Sequence, residues 1–225
     1  MKPSDYLDFS HTRHAALFVE GEPVWSVLAK IGDYLKENLQ PAILGEVSEK
    51  ATVGPDVFIG EGTVVEPGAV IKGPAWIGKN CVVRSGAYVR ENVITGDGCT
   101  LGNSCEFKNC VLFDNAEVPH FNYVGDAILG YKAHLGAGVI LSNVRLDRGE
   151  VVLQIDGERV GTGLKKFSAV IGDHAEIGCN SVISPGSLIG PHCIVYPCVS
   201  FSGVLPASSI LKLRQEHVIV PRRSA

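Results

Sequence analysis

Aliphatic residues recur at every sixth position along much of the chain. The register runs unbroken from Val47 to Val89, and the same spacing returns from Ile171 to Val195. A small or modest side chain stands four residues after each of these positions. Helices repeat every 3.6 residues and half-buried strands every two residues, so neither element explains the pattern. A six-residue period predicts a short strand, a corner and their repetition, which together make a solenoid.

The register changes in the middle of the chain. It slips by one residue between Phe107 and Leu112, and again between Val124 and Leu129. It stops over residues 143–167 and then resumes. Slips and insertions in a solenoid form loops on one face, which is often the working face. We therefore expect the functional site near this interruption.

The insertion at 143–167 carries a hairpin signal. Asp156 and Gly157 separate two short runs, 152–155 and 158–160, and this pair is typical of the tight turn between antiparallel strands. The sequence therefore predicts an inserted β-hairpin arm that extends from the coils and reaches towards a neighbour.

The two ends of the chain lack the repeat. Within residues 1–42, apolar side chains at 23–39 recur near helical spacing and follow a proline, which predicts a helix. We expect this helix to cap the open end of the solenoid, which otherwise exposes unpaired strand edges. Residues 43–207 form the solenoid, and residues 208–225 are expected to form a short helix at 208–215 and a polar tail.

Composition narrows the classes of function. The 225 residues carry 20 Lys and Arg against 24 Asp and Glu, and a net charge of −4 excludes a strongly basic nucleic-acid-binding protein. No apolar run reaches the ~18 residues of a membrane-spanning helix, and residues 1–9 do not resemble a signal peptide. Seven cysteines without a Cys-x-x-Cys pair predict reduced thiols in the cytoplasm. Four of them occupy small-residue positions and are expected in the core, namely Cys81, Cys99, Cys105 and Cys193.

The repeat resembles the hexapeptide repeat of left-handed parallel β-helices, in which three hexads complete one triangular coil. This resemblance implies an all-β fold with the aliphatic side chains pointing inward. Residues 83–87, 102–108 and 118–130, the last with a His-x-x-Tyr-x-Gly-Asp segment, are similar to the acetyltransferase domain of the bacterial bifunctional glucosamine-1-phosphate acetyltransferase/N-acetylglucosamine-1-phosphate uridyltransferase. Residues 161–172 resemble the archaeal two-domain sugar-1-phosphate nucleotidylyltransferases, whose β-helix also acetylates amino sugars.

The resemblance implies an acetyl-CoA-dependent N-acetyltransferase that acts on an amino-sugar 1-phosphate, with glucosamine 1-phosphate as the expected acceptor. His120 falls on the general base of the family. A neutral imidazole, with its ordinary pKa of about 6.5, suits the removal of a proton from an ammonium ion that cannot itself attack a thioester. Arg84 and Lys108 match the contacts to the sugar phosphate, and Tyr123 and Asn143 match contacts to the sugar.

The resemblance also assigns the acyl donor. Gly136, Ala137 and Gly138 match the backbone beside the acetyl group, and the N–H of Ala137 is the candidate donor to the oxyanion of the intermediate. Lys165 and Lys166 are expected to meet the phosphates of coenzyme A. The family works as a trimer with coenzyme A in the groove between solenoids, so we expect a homotrimer without a metal ion.

Several positions depart from the family pattern. His134 stands where the family has Asn, and Gly149, Val152 and Ser168 stand where lysines are expected. These departures leave a second hypothesis open, in which the chain is a non-catalytic trimeric scaffold or a regulatory sugar-nucleotide-binding subunit of a separate nucleotidylyltransferase. No Gly-rich, Arg-containing nucleotide loop stands near the N-terminus, so uridylyl transfer is not expected.

A third hypothesis is a metalloenzyme related to the γ-type carbonic anhydrases. His174 and His192 lie one regular coil apart in the repeat, which stacks them about 4.8 Å apart on one face. Two imidazoles at this spacing are within reach of a shared zinc ion. The sequence lacks a His-x4-His pair, which the β-helical carbonic anhydrases use, so we expect no metal.

Overall fold

Stacked triangular coils form the body of the molecule, and the predicted left-handed parallel β-helix is confirmed. The computed structural model describes residues 1–155, 157–216 and 218–222. The chain begins with short 3-10 helices and the α-helix α1 (Ile31–Asn38). The 3-10 helices are Pro3–Asp5, Phe9–His11, Ala15–Leu17 and Val24–Ala29.

Short strands follow, and most of them have two or three residues. In chain order they are β1 (Ala42–Ile43), β2 (Glu46–Val47), β3 (Thr52–Val53), β4 (Val57–Ile59), β5 (Val64–Val65), β6 (Val70–Ile71), β7 (Ala75–Ile77), β8 (Val82–Val83), β9 (Tyr88–Val89), β10 (Val93–Thr95), β11 (Thr100–Asn103), β12 (Glu106–Leu112), β13 (Glu117–His120), β14 (Tyr123–Leu129), β15 (His134–Leu135), β16 (Ile140–Leu141), β17 (Val152–Ile155), β18 (Glu158–Gly161), β19 (Ala169–Ile171), β20 (Glu176–Ile177), β21 (Val182–Ile183), β22 (Ser187–Ile189), β23 (Ile194–Val195), β24 (Ser200–Phe201), β25 (Val204–Leu205) and β26 (Ile210–Leu211).

The coils present three flat faces, each a stack of parallel strands. The first face contains β1, β4, β7, β10, the ends of β12 and β14, β19, β22 and β25. The second face contains β2, β5, β8, β11, β13, β15, β20, β23 and β26. The third face contains β3, β6, β9, the beginnings of β12 and β14, β16, β21 and β24. We name the edge between the second and third faces the second corner, and the edge between the third and first faces the third corner.

The aliphatic register fills the interior of the coils, as the sequence predicts. Ile59, Ile77, Val83 and Leu101 have no exposed surface. Cys81, Cys99, Cys105 and Cys193 are also buried, which confirms their expected place in the core. Burying one aliphatic side chain of this size contributes roughly 1.5–3 kcal/mol, so the continuous row is the main stabilising element of the coils.

The two register slips correspond to coils that are one residue shorter than the rest. β12 and β14 each run from the third face to the first without a break, whereas other coils use separate strands there. The chain turns at Asn109 and Asp126, whose φ angles are 46° and 51°. Asn and Asp tolerate this left-handed region better than most residues, and their polar side chains therefore lie together at the third corner.

The N-terminal segment, residues 1–41, packs against the first face. The middle residues of the first-face strands point outward and are apolar, and those in the covered stretch include Ile94, Val111 and Ile128. The helical segment covers them with side chains such as Leu28 and Ile31, which are buried. The predicted helix is present, but its expected place over the open end is wrong. The side of the prism carries an apolar row, and burial of that row determines where the segment lies.

The insertion forms the predicted hairpin from β17 and β18, which pair antiparallel. Val151 and Leu153 are buried in the same cluster as the N-terminal segment, and both approach Gly186 of the coils. The arm therefore folds back onto its own chain instead of standing free of the coils, and its expected reach towards a neighbour stays a prediction. Asp156, the first residue of the predicted turn, lies outside the described residues.

The C-terminal segment continues the coils instead of forming the predicted helix at 208–215. β26 pairs with β23 in the ladder of the second face. The N–H groups of Ile194 and Tyr196 donate to carbonyl groups of this last coil. Ile210 and Leu211 extend the aliphatic register, so backbone pairing outweighs local helix propensity. Residues 223–225 of the predicted polar tail lie outside the described residues.

Candidate active site

His120 lies at the end of β13, on the second corner, with its side chain exposed to solvent. Its backbone carbonyl accepts a 3.0 Å hydrogen bond from the N–H of Gly138 in the next coil. Gly136, Ala137 and Gly138 therefore lie directly beside the candidate base. The imidazole is not buried against its own backbone, and it remains open to a ligand on the outside of the corner.

Asn122 connects these two segments, and the sequence analysis did not single it out. Its side-chain oxygen accepts from the N–H of His120 at 3.0 Å, and its Nδ2 donates to the carbonyl of Gly136 at 2.7 Å. The residue is buried, so these bonds are shielded from water. The sequence carried one signal for Asn122, which is a polar residue at a small-residue position of the repeat. Side chains at such positions point into the crowded corner.

The N–H of Ala137 has no hydrogen-bond partner within residues 1–155, 157–216 and 218–222, although the carbonyl of Ala137 accepts from Asn180. The residue is partly exposed at the second corner. A backbone N–H without a partner, in the residue before the one that bonds to the His120 carbonyl, is a candidate donor to a developing oxyanion.

A second polar group lies at the third corner. Asn143 donates from Nδ2 to the hydroxyl of Tyr123 at 3.1 Å and to Oδ2 of Asp126 at 2.6 Å. Asn109 donates from Nδ2 to the other carboxylate oxygen, Oδ1, at 2.9 Å. The structure thus brings together the predicted pair Tyr123 and Asn143 and adds the two residues of the short corners.

The environment keeps Tyr123 protonated. Partial burial raises the pKa of its phenol, and the negative charges of Asp126 and Glu106 raise that pKa further, while Arg90 opposes them. The ring lies over Gly125, where an added Cβ would collide with the phenol. This close approach explains the glycine of the Tyr-x-Gly-Asp segment.

The two residues predicted to bind the phosphate lie at opposite edges of the third face. Arg84 follows β8 at the second corner, two coils before His120, and its charge opposes the rise in the pKa of Cys105 that burial causes. Lys108 lies within β12, and its backbone is paired with Gly125 beneath the Tyr123 ring. Arg90 is paired with Glu106 at 2.9 Å and is therefore less available to a phosphate.

Lys165 and Lys166 lie apart from the backbone of residues 136–138. They follow the hairpin and are exposed, and the next residue, Phe167, donates its N–H to the carbonyl of Asn143 at 3.0 Å. Within one chain these lysines therefore belong to the third corner, whereas the candidate base and oxyanion donor belong to the second.

The positions that depart from the family pattern have local partners. His134 Nδ1 lies 2.7 Å from a carboxylate oxygen of Glu176 on the second face. Ser168 is fully buried, and its hydroxyl donates to the carbonyl of Asp126. Val152 lies in β17, and Gly149 donates its N–H to Asp147. A lysine at the position of Ser168 would have no room, so this departure is part of the packing.

His174 and His192 stack as the sequence predicts. Their ring centroids are 4.8 Å apart and nearly parallel, and Tyr131 meets His174 edge-on. The described part of the chain holds no group of three or more His, Cys, Asp or Glu side chains that could surround a metal ion. Over the same residues, no helix combines the length and the apolar character needed to span a bilayer.

Comparison with known proteins places these features in a family. Residues 71–165 match the model of the GMPPB C-terminal domain, and residues 168–203 match the bacterial transferase hexapeptide (six repeats). A bifunctional sugar-1-phosphate nucleotidylyltransferase/acetyltransferase of Sulfurisphaera tokodaii is 31% identical over 86% of this chain and 50% of its own. The chain spans about half the length of such bifunctional relatives.

Two further similarities differ in strength. The acetyltransferase domain of PglB from Neisseria gonorrhoeae, solved in complex with acetyl coenzyme A, has a TM-score of 0.33 and 16% identity over 73% of this chain and 52% of its own. The uncharacterized acetyltransferase YaiX of Escherichia coli is 35% identical over 84% of this chain and 83% of its own. Because this relative matches along most of both chains and the hexapeptide model matches as well, the chain belongs to the family of hexapeptide-repeat acyltransferases.

Proposed function

We propose that the protein transfers the acetyl group of acetyl-CoA to the amine of an amino-sugar 1-phosphate, with glucosamine 1-phosphate as the acceptor. One observation carries the proposal: the exposed His120 lies beside the Gly136–Gly138 backbone, joined by the bond from Gly138 N–H to its carbonyl. Relatives that are named as acetyltransferases support the reaction class.

The chemistry follows from these groups. The imidazole of His120 takes a proton from the ammonium group, and the free amine then attacks the carbonyl carbon of the thioester. The carbonyl oxygen becomes negatively charged, and the Ala137 N–H donates to it. The tetrahedral intermediate collapses by breaking the carbon–sulfur bond. The thiolate of coenzyme A takes up the second proton, which the attacking nitrogen loses as it becomes an amide. The His120 imidazolium releases its proton to water, and the acetylated amine leaves.

The acceptor is proposed to lie across the outside of the third face. Arg84 and Lys108 bind its phosphate, the former as a two-pronged donor and the latter as a point charge. Tyr123 and Asn143 contact the sugar. The outward side chains of this face in adjacent coils include Glu106 and Tyr123, which are polar and partly exposed.

The active assembly is proposed to be a homotrimer. The first face is covered by the chain's own N-terminal segment, so the second and third faces remain for contacts between copies. Both carry exposed aliphatic side chains, such as Ile140 and Ile194. In one chain Lys165 and Lys166 do not lie beside His120, so a neighbouring copy is proposed to bring its own lysines to the coenzyme A phosphates.

The test is a coupled assay on the purified protein. Acetyl-CoA and glucosamine 1-phosphate are mixed with it, the free thiol is followed with a chromogenic disulfide, and the product mass is measured. We expect thiol release and a singly acetylated product. Because general-base catalysis contributes roughly 10²–10⁴-fold, His120→Ala is expected to lower kcat by at least about 100-fold.

The control is His192→Ala, which removes an exposed imidazole from the edge between the first and second faces. This variant is expected to keep the wild-type rate. A folded wild-type protein that releases no thiol with any amino-sugar phosphate would contradict the proposed function.

The buried Ser168 favours one alternative, because this position has no room for the lysine expected from the family. The alternative is a non-catalytic subunit that binds a sugar nucleotide and accompanies a separate nucleotidylyltransferase. Sugar-nucleotide binding by calorimetry that is equal in wild type and His120→Ala, together with no thiol release, would favour it.

A further inference from the structure

Asp126 has a buried carboxylate between two side-chain amides. The residue is 4% exposed. Its Oδ1 accepts from Asn109 and its Oδ2 from Asn143, at 2.9 and 2.6 Å. No Lys or Arg forms an ion pair with it among the described residues. A buried charge without a cation must be held by hydrogen bonds, and these two amides supply them.

The carboxylate determines which way the amide of Asn143 points. An ionised carboxylate only accepts hydrogen bonds, so it must face the NH₂ group and repel the amide oxygen. The same NH₂ group also donates to the hydroxyl of Tyr123. Both of these contacts use Nδ2, and Oδ1 of Asn143 therefore points away from Asp126 and Tyr123.

The hydroxyl of Tyr123 is oriented in the same way. Its oxygen accepts from Asn143, so its own hydrogen is free to donate elsewhere. The charge of Asp126 also contributes to the raised pKa of this phenol, which keeps the hydrogen in place. The group therefore presents one donor, the Tyr123 O–H, and one acceptor, the Asn143 Oδ1.

We infer that Asp126 is a positioning residue. It determines which group of the sugar site donates a hydrogen bond and which group accepts one, without touching the acceptor molecule itself. This inference rests on the proposed function, because it assigns the oriented donor and acceptor to the recognition of a sugar. A sugar ring offers hydroxyl oxygens to the donor, and hydroxyl or ammonium hydrogens to the acceptor. An acceptor molecule without such hydrogens would leave Oδ1 of Asn143 unpaired.

The short corners make this arrangement possible. Asn109 and Asp126 are the turning residues of the two coils that lack one residue, and they lie side by side in adjacent coils. Asn109 also donates to the carbonyl of Leu28 in the N-terminal segment. The amide of Asn109 thus holds the carboxylate of Asp126 on the side of the N-terminal segment. The carboxylate in turn orients the amide of Asn143 on its other side.

The test compares Asp126→Asn with Ser168→Ala. The first variant removes the charge, and the second removes only a hydroxyl that donates to the backbone carbonyl of Asp126. Bonds to charged groups are strong enough that we expect Asp126→Asn to raise the KM for glucosamine 1-phosphate at least about ten-fold. The KM for acetyl-CoA should stay within about two-fold. Ser168→Ala should lower the melting temperature and change neither constant.

A spectroscopic readout does not depend on turnover. Carbon NMR of labelled tyrosine, with the Tyr123 signal assigned through Tyr123→Phe, follows the ionisation of the phenol. The pKa of Tyr123 should fall in Asp126→Asn and stay unchanged in Ser168→Ala. Equal pKa values and equal acceptor KM values in the two variants would overturn the inference and leave Asp126 a structural residue.

The wild-type protein supplies a check that does not need the variant to fold. Proton–nitrogen NMR reports the exchange of the Asn143 side-chain amide with solvent, assigned through Asn143→Ala. Slow exchange is expected because both bonds are partly buried, and exchange as fast as that of a free amide would overturn the inference. If the wild type shows slow exchange but no acetyl transfer, the proposed function fails while the positioning of the amide stands.

Discussion

At the scale of single residues, close approach between neighbouring coils limits which side chains fit. Gly102 in β11 lies against the backbone of Pro119 in the next coil, and a Cβ at this position would collide with the Pro119 carbonyl group. The contact joins β11, which pairs with the strand just before Arg84, to the strand that carries His120. The position of the candidate base therefore depends on a residue that has no side chain.

Gly102→Ala is expected to destabilise the protein by about 3 kcal/mol or more, because the colliding atoms belong to the backbone and cannot rotate away. Urea denaturation measures the change in the free energy of unfolding. Gly149→Ala is the matched control, since its nearest neighbours are side-chain atoms of Asp147 at 3.3 Å or more. Its effect should stay within about 0.5 kcal/mol. Equal stability of the two variants would show that the coils separate easily at Gly102.

At the scale of elements, the N-terminal segment contains a buried imidazole in its contact with the first face. His14 is buried, its Nδ1 lies 3.0 Å from the Tyr34 hydroxyl, and its ring meets Trp76 edge-on. Burial is the main cause that lowers the pKa of His14 to about 4, and the nearby Arg13 lowers it further, while Asp97 opposes both. Within the described residues Nε2 has no partner, so a proton there would be buried without a hydrogen bond.

The folded pKa lies below the ordinary value of about 6.5, so the unfolded chain binds this proton more readily. The stability that neutral His14 gives the folded protein is therefore complete above about pH 6.5. It is lost as the pH falls towards 4, which lowers the free energy of unfolding by up to about 3 kcal/mol. Urea midpoints at pH 7 and pH 5 measure the loss. His14→Gln keeps a polar partner for Tyr34 without titrating and should lose less stability over this range. An equal loss in both proteins would contradict the assignment to His14.

The sequence predicts some elements well and others only in part. The period of six depends on local packing inside each coil, so it predicts the strands and the inward residues directly. The place of the N-terminal helix depends on outward residues such as Ile94 and Val111. The six-residue repeat does not specify which residue type stands at these outward positions. The third-corner group also lies beyond local rules, because a full coil separates Asp126 from Asn143, the residue at which the insertion begins. The register slips were its signal, since both shortened corners turn at a polar residue.

At the scale of the whole molecule, the proposed trimer predicts that charge on an open face disrupts assembly. Ile194 on the second face is 42% exposed, whereas Leu146 in the insertion is fully exposed and packs against nothing in the described chain. Ile194→Glu is expected to dissociate the trimer, because it would bury an unpaired charge between copies. Leu146→Glu should leave it intact.

Analytical ultracentrifugation measures the mass of both variants and of the wild type. A monomeric wild type, or equal masses for the two variants, would contradict the use of this part of the second face in assembly. Activity measured on the same samples would show whether the dissociated chain still transfers the acetyl group.

The covered first face also limits how copies of the chain add to one another in an assembly. Head-to-tail contacts close into a ring when their rotation completes a circle, and they continue as a fibre when it does not. A three-sided prism that binds copies of itself through all three faces accepts partners in every lateral direction and extends as a lattice. Here the N-terminal segment and the hairpin cover outward residues of the first face, so the proposed trimer would associate through the two remaining faces, as a closed ring needs.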